Sequence, residues 1–175
     1  MEKNRVAVAE RGAMSTAYIA VGSNLGDKQQ NCEKGIAALI RTPETAVTAR
    51  AEFYRTAPVD FTDQEWFVNT AVRVTTDLAP HDLLKRLKSI ENDVGRIKSD
   101  IRFGPRILDM DIIFYDTLVL KSDTLEIPHP RMHKRRFVLR PICDIDPAAM
   151  HPTLKRPVKT LLDEIEDPDQ DIVVM

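Results

Sequence analysis

Cysteine is almost missing from this sequence of 175 residues. Cys32 and Cys143 stand far apart, without the spacing of a metal or redox pair. A disulfide scaffold is thereby excluded, and two reduced thiols point to a cytoplasmic protein. No apolar run approaches the roughly 18–20 residues of a membrane span. The N-terminus has no apolar core of a secretory signal. An excess of one charge is absent too: 25 Lys and Arg oppose 27 Asp and Glu, for a net charge of −2. That balance, with no aromatic pattern of an RNA-binding sheet, argues against a nucleic-acid partner. There is no internal repeat and no low-complexity linker. No Ser/His/Asp or Cys/His grouping calls for a covalent intermediate.

What is present is ordinary globular composition, 43% hydrophobic and 30% charged, in a length that suits one domain with a real core. Residues 1–15 are polar and read as a disordered extension, with Met14 an alternative start to Met1. A single domain is expected over 16–175.

Residues 17–21 read as a buried strand running into the turn Gly22-Ser23-Asn24-Leu25-Gly26, with Asp27 as helix N-cap. Cys32, Ile36, Leu39 and Ile40 form the apolar stripe of the following helix. Residues 45–54 and 66–76 alternate like half-buried strands, the second with Val68, Val72 and Val74 on one face. Pro80 opens a second helix whose stripe is Leu83, Leu84, Leu87, Ile90 and Val94, and Gly95 closes it. A strand is expected over 107–115, a short hairpin near 118–127, helix over much of 131–143 and 158–165, and an edge strand over 171–174. The order β-α-β-β-α-β predicts an α+β, ferredoxin-like core, an antiparallel sheet with helices on one face, plus C-terminal helical and hairpin additions.

The chemistry concentrates in Arg102-Phe103-Gly104-Pro105-Arg106-Ile107-Leu108-Asp109-Met110-Asp111. On a strand, Asp109 and Asp111 share a face, while Leu108, Met110, Ile112 and Phe114 point into the core. The backbone positions of these two aspartates are roughly 6.6–7 Å apart, so the two carboxylates can converge on one or two hard cations, Mg²⁺ first. Arg96, Lys98, Arg102 and Arg106 form one basic cluster; Arg131, Lys134, Arg135, Arg136 and Arg140 form another. Guanidinium forks fit phosphate oxygens. Carboxylates for a cation and arginines for phosphates are the equipment of phosphoryl transfer. His129, between Pro128 and Pro130, is a candidate phosphate contact; His81, His133 and His151 read as surface residues. Phe67 and Asn69 share a strand face, an aromatic surface and an amide suited to a flat heterocycle, and Trp66 reads as core. The Gly22–Gly26 turn is not a P-loop, because three residues separate its glycines and Asp27 follows them.

These residues resemble the 6-hydroxymethyl-7,8-dihydropterin pyrophosphokinase family over about residues 17–147. The resemblance is carried by Ala-Tyr-Ile-Ala-Val-Gly-Ser-Asn-Leu-Gly (17–26), Phe-Tyr-Arg-Thr (53–56), Phe-Val-Asn-Thr-Ala-Val (67–72), Glu91 with Gly95-Arg96, the 102–111 run, and Pro-His-Pro followed by Arg135 and Phe137. It implies transfer of the terminal pyrophosphoryl unit of ATP to the pterin's hydroxymethyl oxygen, giving AMP and the pterin diphosphate in folate biosynthesis. It implies two Mg²⁺ ions on Asp109 and Asp111, with ATP as co-substrate. The pterin would lie between Phe67 and Phe137, bonded by Asn69, Thr56 and backbone around Ala57 and Val59. Arg96, Arg106, His129 and Arg135 would contact phosphates, Lys98 and Arg102 would close over the site, Glu91 would help on the nucleotide side, and adenine would rest on Leu84 and Ile112. Two positions depart from the family pattern: Phe103 stands where tryptophan or tyrosine is common, and Lys98 where some relatives carry arginine. The loops near 55–65 and 96–106 are candidate lids. The base that takes the hydroxyl proton stays open between Asp111 and none. A monomer is expected. A metal-dependent phosphohydrolase and a non-catalytic small-molecule-binding module of the same fold are the alternatives.

Overall fold

A computed structural model describes residues 13–95 and 105–175. Its first strand, β1 (Ser15–Ser23), is apolar at its centre and lies inside the sheet, flanked by β4 (Phe67–Thr76) and β5 (Asp109–Tyr115), both antiparallel to it. Outside β4 comes β3 (Tyr54–Thr56), and outside β3 the C-terminal β8 (Ile172–Val174), so the order is β5-β1-β4-β3-β8. The strand expected over 45–54 is two pieces. β2 (Thr45–Arg50) and β3 both pair with β4, and residues 51–53 interrupt the ladder. A register shift between Val47 and Ala49 breaks the alternation. Val47 and Phe53 therefore pack with one core cluster and Ala51 with the other.

Helix α1 (Lys28–Ile40) starts where the Asp27 carboxylate accepts from the Gln30 amide at 3.0 Å. It buries Cys32, Ile36 and Leu39, but Ile40 is 59% exposed, since the helix ends there and turns outward. Helix α2 (Pro80–Val94) begins on Pro80, buries Leu83, Leu87 and Ile90, and ends on Gly95 at φ 111°, the left-handed conformation glycine tolerates. The two helices cover one sheet face, enclosing Ile19, Val21, Val72 and Met110.

The other face is not left wholly to loops and ligand. Helices α3 (Arg136–Ile145) and α4 (Val158–Asp163) pack on part of it, α3 setting Leu139 and Ile142 against Tyr18, Ala71 and Phe114 of the sheet. Phe114 belongs to this second core, contrary to the alternation read from the sequence. In the β1–β5 register, Tyr18 faces Phe114 and Ile19 faces Ile112, so Ile113 is an extra residue that swings Phe114 across the sheet. A small hairpin, β6 (Leu120–Lys121) and β7 (Glu126–Ile127), leads through a cis Ile127–Pro128 bond to a 3₁₀ turn (Met132–Lys134) before α3. His151 is a further correction. It is 4% exposed, its Nδ1 accepts from the amides of Thr153 and Leu154, and its ring meets Phe114 edge-on. No helix among the described residues is long and apolar enough to cross a membrane.

Candidate active site

The part of the second sheet face that α3 leaves uncovered is a cavity of about 240 Å³. Its floor is built by strand alternation. Gly22 on β1 faces Asn69 on β4, and a Cβ at Gly22 would lie 2.3 Å from Asn69 Oδ1. A residue without a side chain is required there. Asn69 is buried, and its Nδ2 donates to Thr56 Oγ1 at 2.8 Å. Phe67 shares its strand face, and Phe137, in the first turn of α3, also lines the cavity. Ala57 and Val59, just after β3, form a further wall.

The acidic side comes from β5. Asp109 and Asp111 both line the cavity, while Met110 between them is fully buried in the helical core. Arg106 Nη1 donates to Asp109 Oδ2 at 2.7 Å. The Arg106 peptide is fixed by the fully buried Asn24. The Asn24 amide donates to Arg106 O at 3.0 Å, and Asn24 Oδ1 accepts from Arg106 N at 2.7 Å. β5 is the edge strand, and α2 reaches round it. Glu91, fully buried, accepts from the Met110 amide at 2.7 Å and from Lys88 Nζ at 2.8 Å. Lys88 also donates to Met110 O at 3.2 Å and lies 3.8 Å from Asp111 Oδ1. The backbone between the two carboxylates is thus held from outside by an ion pair.

The basic side comes from the segment before α3. Arg131 and Arg135 enter the cavity, and both approach the Asp60 carboxylate, at 3.6 and 2.8 Å. Burial and the neighbouring Arg131 pull the Arg135 guanidinium below its ordinary value, and Asp60 works against that shift. The guanidinium also stands 5.5 Å over the Phe137 ring, a cation–π contact. His129 sits beside them, its amide bonded to Ile113 O at 3.0 Å. Burial, then Arg135 and Arg131, push its pKa down to about 4, so its imidazole is neutral at pH 7. The loop after β3 is pinned at both ends in this state: by Asp60 on Arg135, and by Lys28 on Trp66 O at 2.8 Å and Glu65 at 2.7 Å.

The cavity therefore gathers Thr56, Ala57, Val59, Phe67, Asn69, Arg106, Asp109, Asp111, His129, Arg135 and Phe137, from segments far apart in sequence. Leu84, Glu91 and Ile112 do not line it. Ile112 is 3% exposed in the helical core, Leu84 packs against that core, and Glu91 acts on the strand behind Asp111. Strand alternation is the reason for Ile112, which points away from its neighbour Asp111. Arg96, Lys98, Arg102 and Phe103 lie outside the described residues. The second basic cluster divides: Arg136 binds tail carbonyls, and Arg140 pairs with Asp144 at 3.2 Å, away from the cavity. Trp66 is only partly buried, with the Arg55 guanidinium 5.6 Å over its ring. Sequence reasoning missed Asn24, Asp60, Gln64 and Lys88. Only Asn24 carried a signal, as the centre of a turn between strand and helix.

Comparison with known proteins agrees with this geometry. The family model for 7,8-dihydro-6-hydroxymethylpterin-pyrophosphokinase matches residues 18–147. The 2-amino-4-hydroxy-6-hydroxymethyldihydropteridine pyrophosphokinase of Methylorubrum extorquens is 41% identical over 77% of this chain and 84% of its own length. The folic acid synthesis protein FOL1 of Dictyostelium discoideum is 48% identical over 78% of this chain, which spans only 20% of that longer relative. In fold, the crystal structure of wild-type Plasmodium falciparum HPPK-DHPS with pterin and p-hydroxybenzoate superposes with a TM-score of 0.70 at 15% identity, over 90% of this chain and 42% of that one. With the family match spanning most of its length, the chain belongs to the 7,8-dihydro-6-hydroxymethylpterin-pyrophosphokinase family.

Proposed function

We propose that this chain transfers the β,γ-diphosphoryl group of ATP to the hydroxymethyl oxygen of 6-hydroxymethyl-7,8-dihydropterin, releasing AMP, as a step of folate biosynthesis. One observation carries the reading. A same-face carboxylate pair, three guanidinium groups and an aromatic–amide surface line a single cavity.

In this reading the pterin lies between Phe67 and Phe137 with its edge on Asn69 and Thr56 and on backbone near Ala57 and Val59. Asn69 Nδ2 gives one of its two protons to Thr56, which leaves Oδ1 and the second N–H to read the ring edge. Arg106, Arg135 and His129 receive the phosphates, with Arg96, Arg102 and Lys98 from the adjoining basic run. A neutral His129 donates one N–H without adding charge. The adenine lies outside the cavity where α2 crosses the β5 edge, near Leu84 and Lys88, with Ile112 and Glu91 buried behind that edge as its support. Asp60 occupies the anion position between Arg131 and Arg135, so an incoming phosphate displaces a carboxylate already seated there.

Asp109 and Asp111 fit Mg²⁺: both donors are hard oxygens, on one strand face, beside guanidiniums that attract phosphate. Mg²⁺ commonly takes one or two carboxylates and completes its shell with phosphate and water, which allows two ions on this pair. When bound, it neutralises phosphate charge and makes the β-phosphorus more electrophilic. The chain's own residues position the partners. The hydroxyl oxygen bonds to the β-phosphorus, the bond to the α,β-bridging oxygen breaks, AMP leaves, and the hydroxyl proton is released. Positioning and charge stabilisation supply the acceleration. We take the chain to act as a monomer in the cytoplasm, where its free thiols Cys32 and Cys143 would stay reduced.

The test is product analysis with ATP, Mg²⁺ and the pterin. AMP and pterin diphosphate in equal amounts are expected. ADP or free phosphate would instead identify a hydrolase, and no consumption a binding module.

A further inference from the structure

The family match ends at residue 147, yet the segment beyond it bonds to the backbone that frames the cavity. α4 is followed by an exposed acidic turn, and then the chain dives under α3. Gln170 there is 6% exposed, unusual for a glutamine. Both ends of its side-chain amide are engaged. Oε1 accepts from the Arg136 amide at 2.8 Å, and Nε2 donates to the Lys134 carbonyl at 2.9 Å. These two groups flank Arg135. Gln170 thus grips the backbone on either side of that residue, one position before Phe137. Arg136 returns the grip, donating to the carbonyls of Gln170 and Ile165 at 2.9 and 2.8 Å.

The next residues hold the opposite wall. The Asp171 carbonyl accepts from the Ala57 amide at 2.9 Å, and β8 pairs with β3 through Ile172 and Thr56. The tail therefore bonds at once to the Thr56–Ala57 wall and to the first turn of α3. α3 also meets β3 directly, where Tyr54 Oη donates to Asp144 Oδ2 at 2.5 Å and accepts from Arg140 Nε at 3.1 Å, but those bonds hold the later turns of α3 and not its start. The spacing between the two walls is the width available to a flat ring.

We infer that Gln170 is a positioning residue of the heterocycle subsite, setting the separation of the Thr56–Ala57 wall from Phe137. This inference rests on the functional reading above. Arg135 has additional anchors in Asp60 and the Phe137 ring, whereas Ala57 and the start of α3 are tied directly to the tail. Loss of the clamp should widen the ring slot more than it disturbs phosphate binding.

The experiment compares Gln170→Ala and Gln170→Glu with wild type and with an exposed control, Asp169→Ala. Gln170→Ala should raise the pterin KM about tenfold, as expected for misplaced binding groups, and change the ATP KM by less than about twofold. Gln170→Glu keeps the acceptor for Arg136 but turns a carboxylate oxygen on the Lys134 carbonyl and the Asp167 carboxylate, which Nε2 now meets at 2.9 and 3.3 Å, so it should not recover the loss. Amide hydrogen exchange supplies a readout that needs no turnover: protection at Ala57 and Arg136 should fall together in Gln170→Ala and hold in Asp169→Ala. A lowered Tm with both KM values unchanged, an equal rise in both, or retained protection at the two amides would overturn the inference. Should Gln170→Ala not fold, Gln170→Glu is judged by the same criteria. Wild-type protein that consumed no pterin would refute the functional reading alone, and the clamp would then be decided by the exchange data.

Discussion

His129 shows how a single side chain is tuned by its surroundings. Partly buried and facing Arg135 and Arg131, it has a folded-state pKa of about 4, against roughly 6.5 in an unfolded chain. The unfolded state therefore binds the extra proton between those values. The contribution to stability is fully present above about pH 6.5 and is lost as pH falls toward about 4. Between pH 7 and pH 5 the loss is about 2 kcal/mol. Denaturant unfolding at the two pH values should show His129→Asn losing less than wild type over this interval, and equal losses would reject the assignment. His133 and His151 are shifted in the same direction by burial, so some acid sensitivity remains in the variant. Which residues were legible follows from range. Asp109 and Asp111 are two apart on a strand, and their convergence needs only the pleat. Asn24 and Arg106 meet across 82 positions, and Asp60 and Arg135 across 75. No local pattern announces such pairs.

At the level of elements, the site depends on how α2 grips β5. Glu91 is a fully buried carboxylate whose partners include the Met110 amide and Lys88. Glu91→Ala would leave both without it, at a cost of about 3 kcal/mol. It would also loosen the peptide that separates Asp109 from Asp111. Glu91→Gln retains an acceptor for the amide and should restore most of the turnover while leaving part of the stability deficit. The check is kcat alongside denaturant midpoints; turnover unchanged in Glu91→Ala would show that the strand needs no external hold. The helices were readable in advance because their stripes and caps are local: Asp27, Pro80 and Gly95 all act where expected. The strands were readable in existence but not in phase. One extra residue at Ile113 moves Phe114 to the other face, and a slip near Thr48 moves Ala51, and periodicity cannot register an insertion that the partner strand defines.

For the molecule as a whole, binding and folding are linked. A non-hydrolysable ATP analogue at about a hundredfold its Kd should add about 2.7 kcal/mol. In a chain of this size that corresponds to a rise in Tm of about 5–10 °C. The rise should need Mg²⁺, and chelation should remove most of it. In the double variant Asp109→Asn, Asp111→Asn, the analogue's effect should no longer respond to Mg²⁺. A shift that kept its Mg²⁺ dependence there would place the ion elsewhere. The antiparallel core and its helices were foreseeable from the order of elements. The second, smaller core under α3 and α4 was not, because it is assembled from residues in β1, β4, β5 and the C-terminal third.

The grip of α2 on Met110 has one more effect. β5 ends the sheet, so its outward N–H and C=O groups would offer a ready template to a strand of another molecule. Glu91 and Lys88 close that rim at Met110, and the His129 amide closes it again at Ile113. The same contacts that steady the acidic pair also keep copies of the protein from stitching together edge to edge. Variants that weaken them should be watched for self-association as well as for slow chemistry.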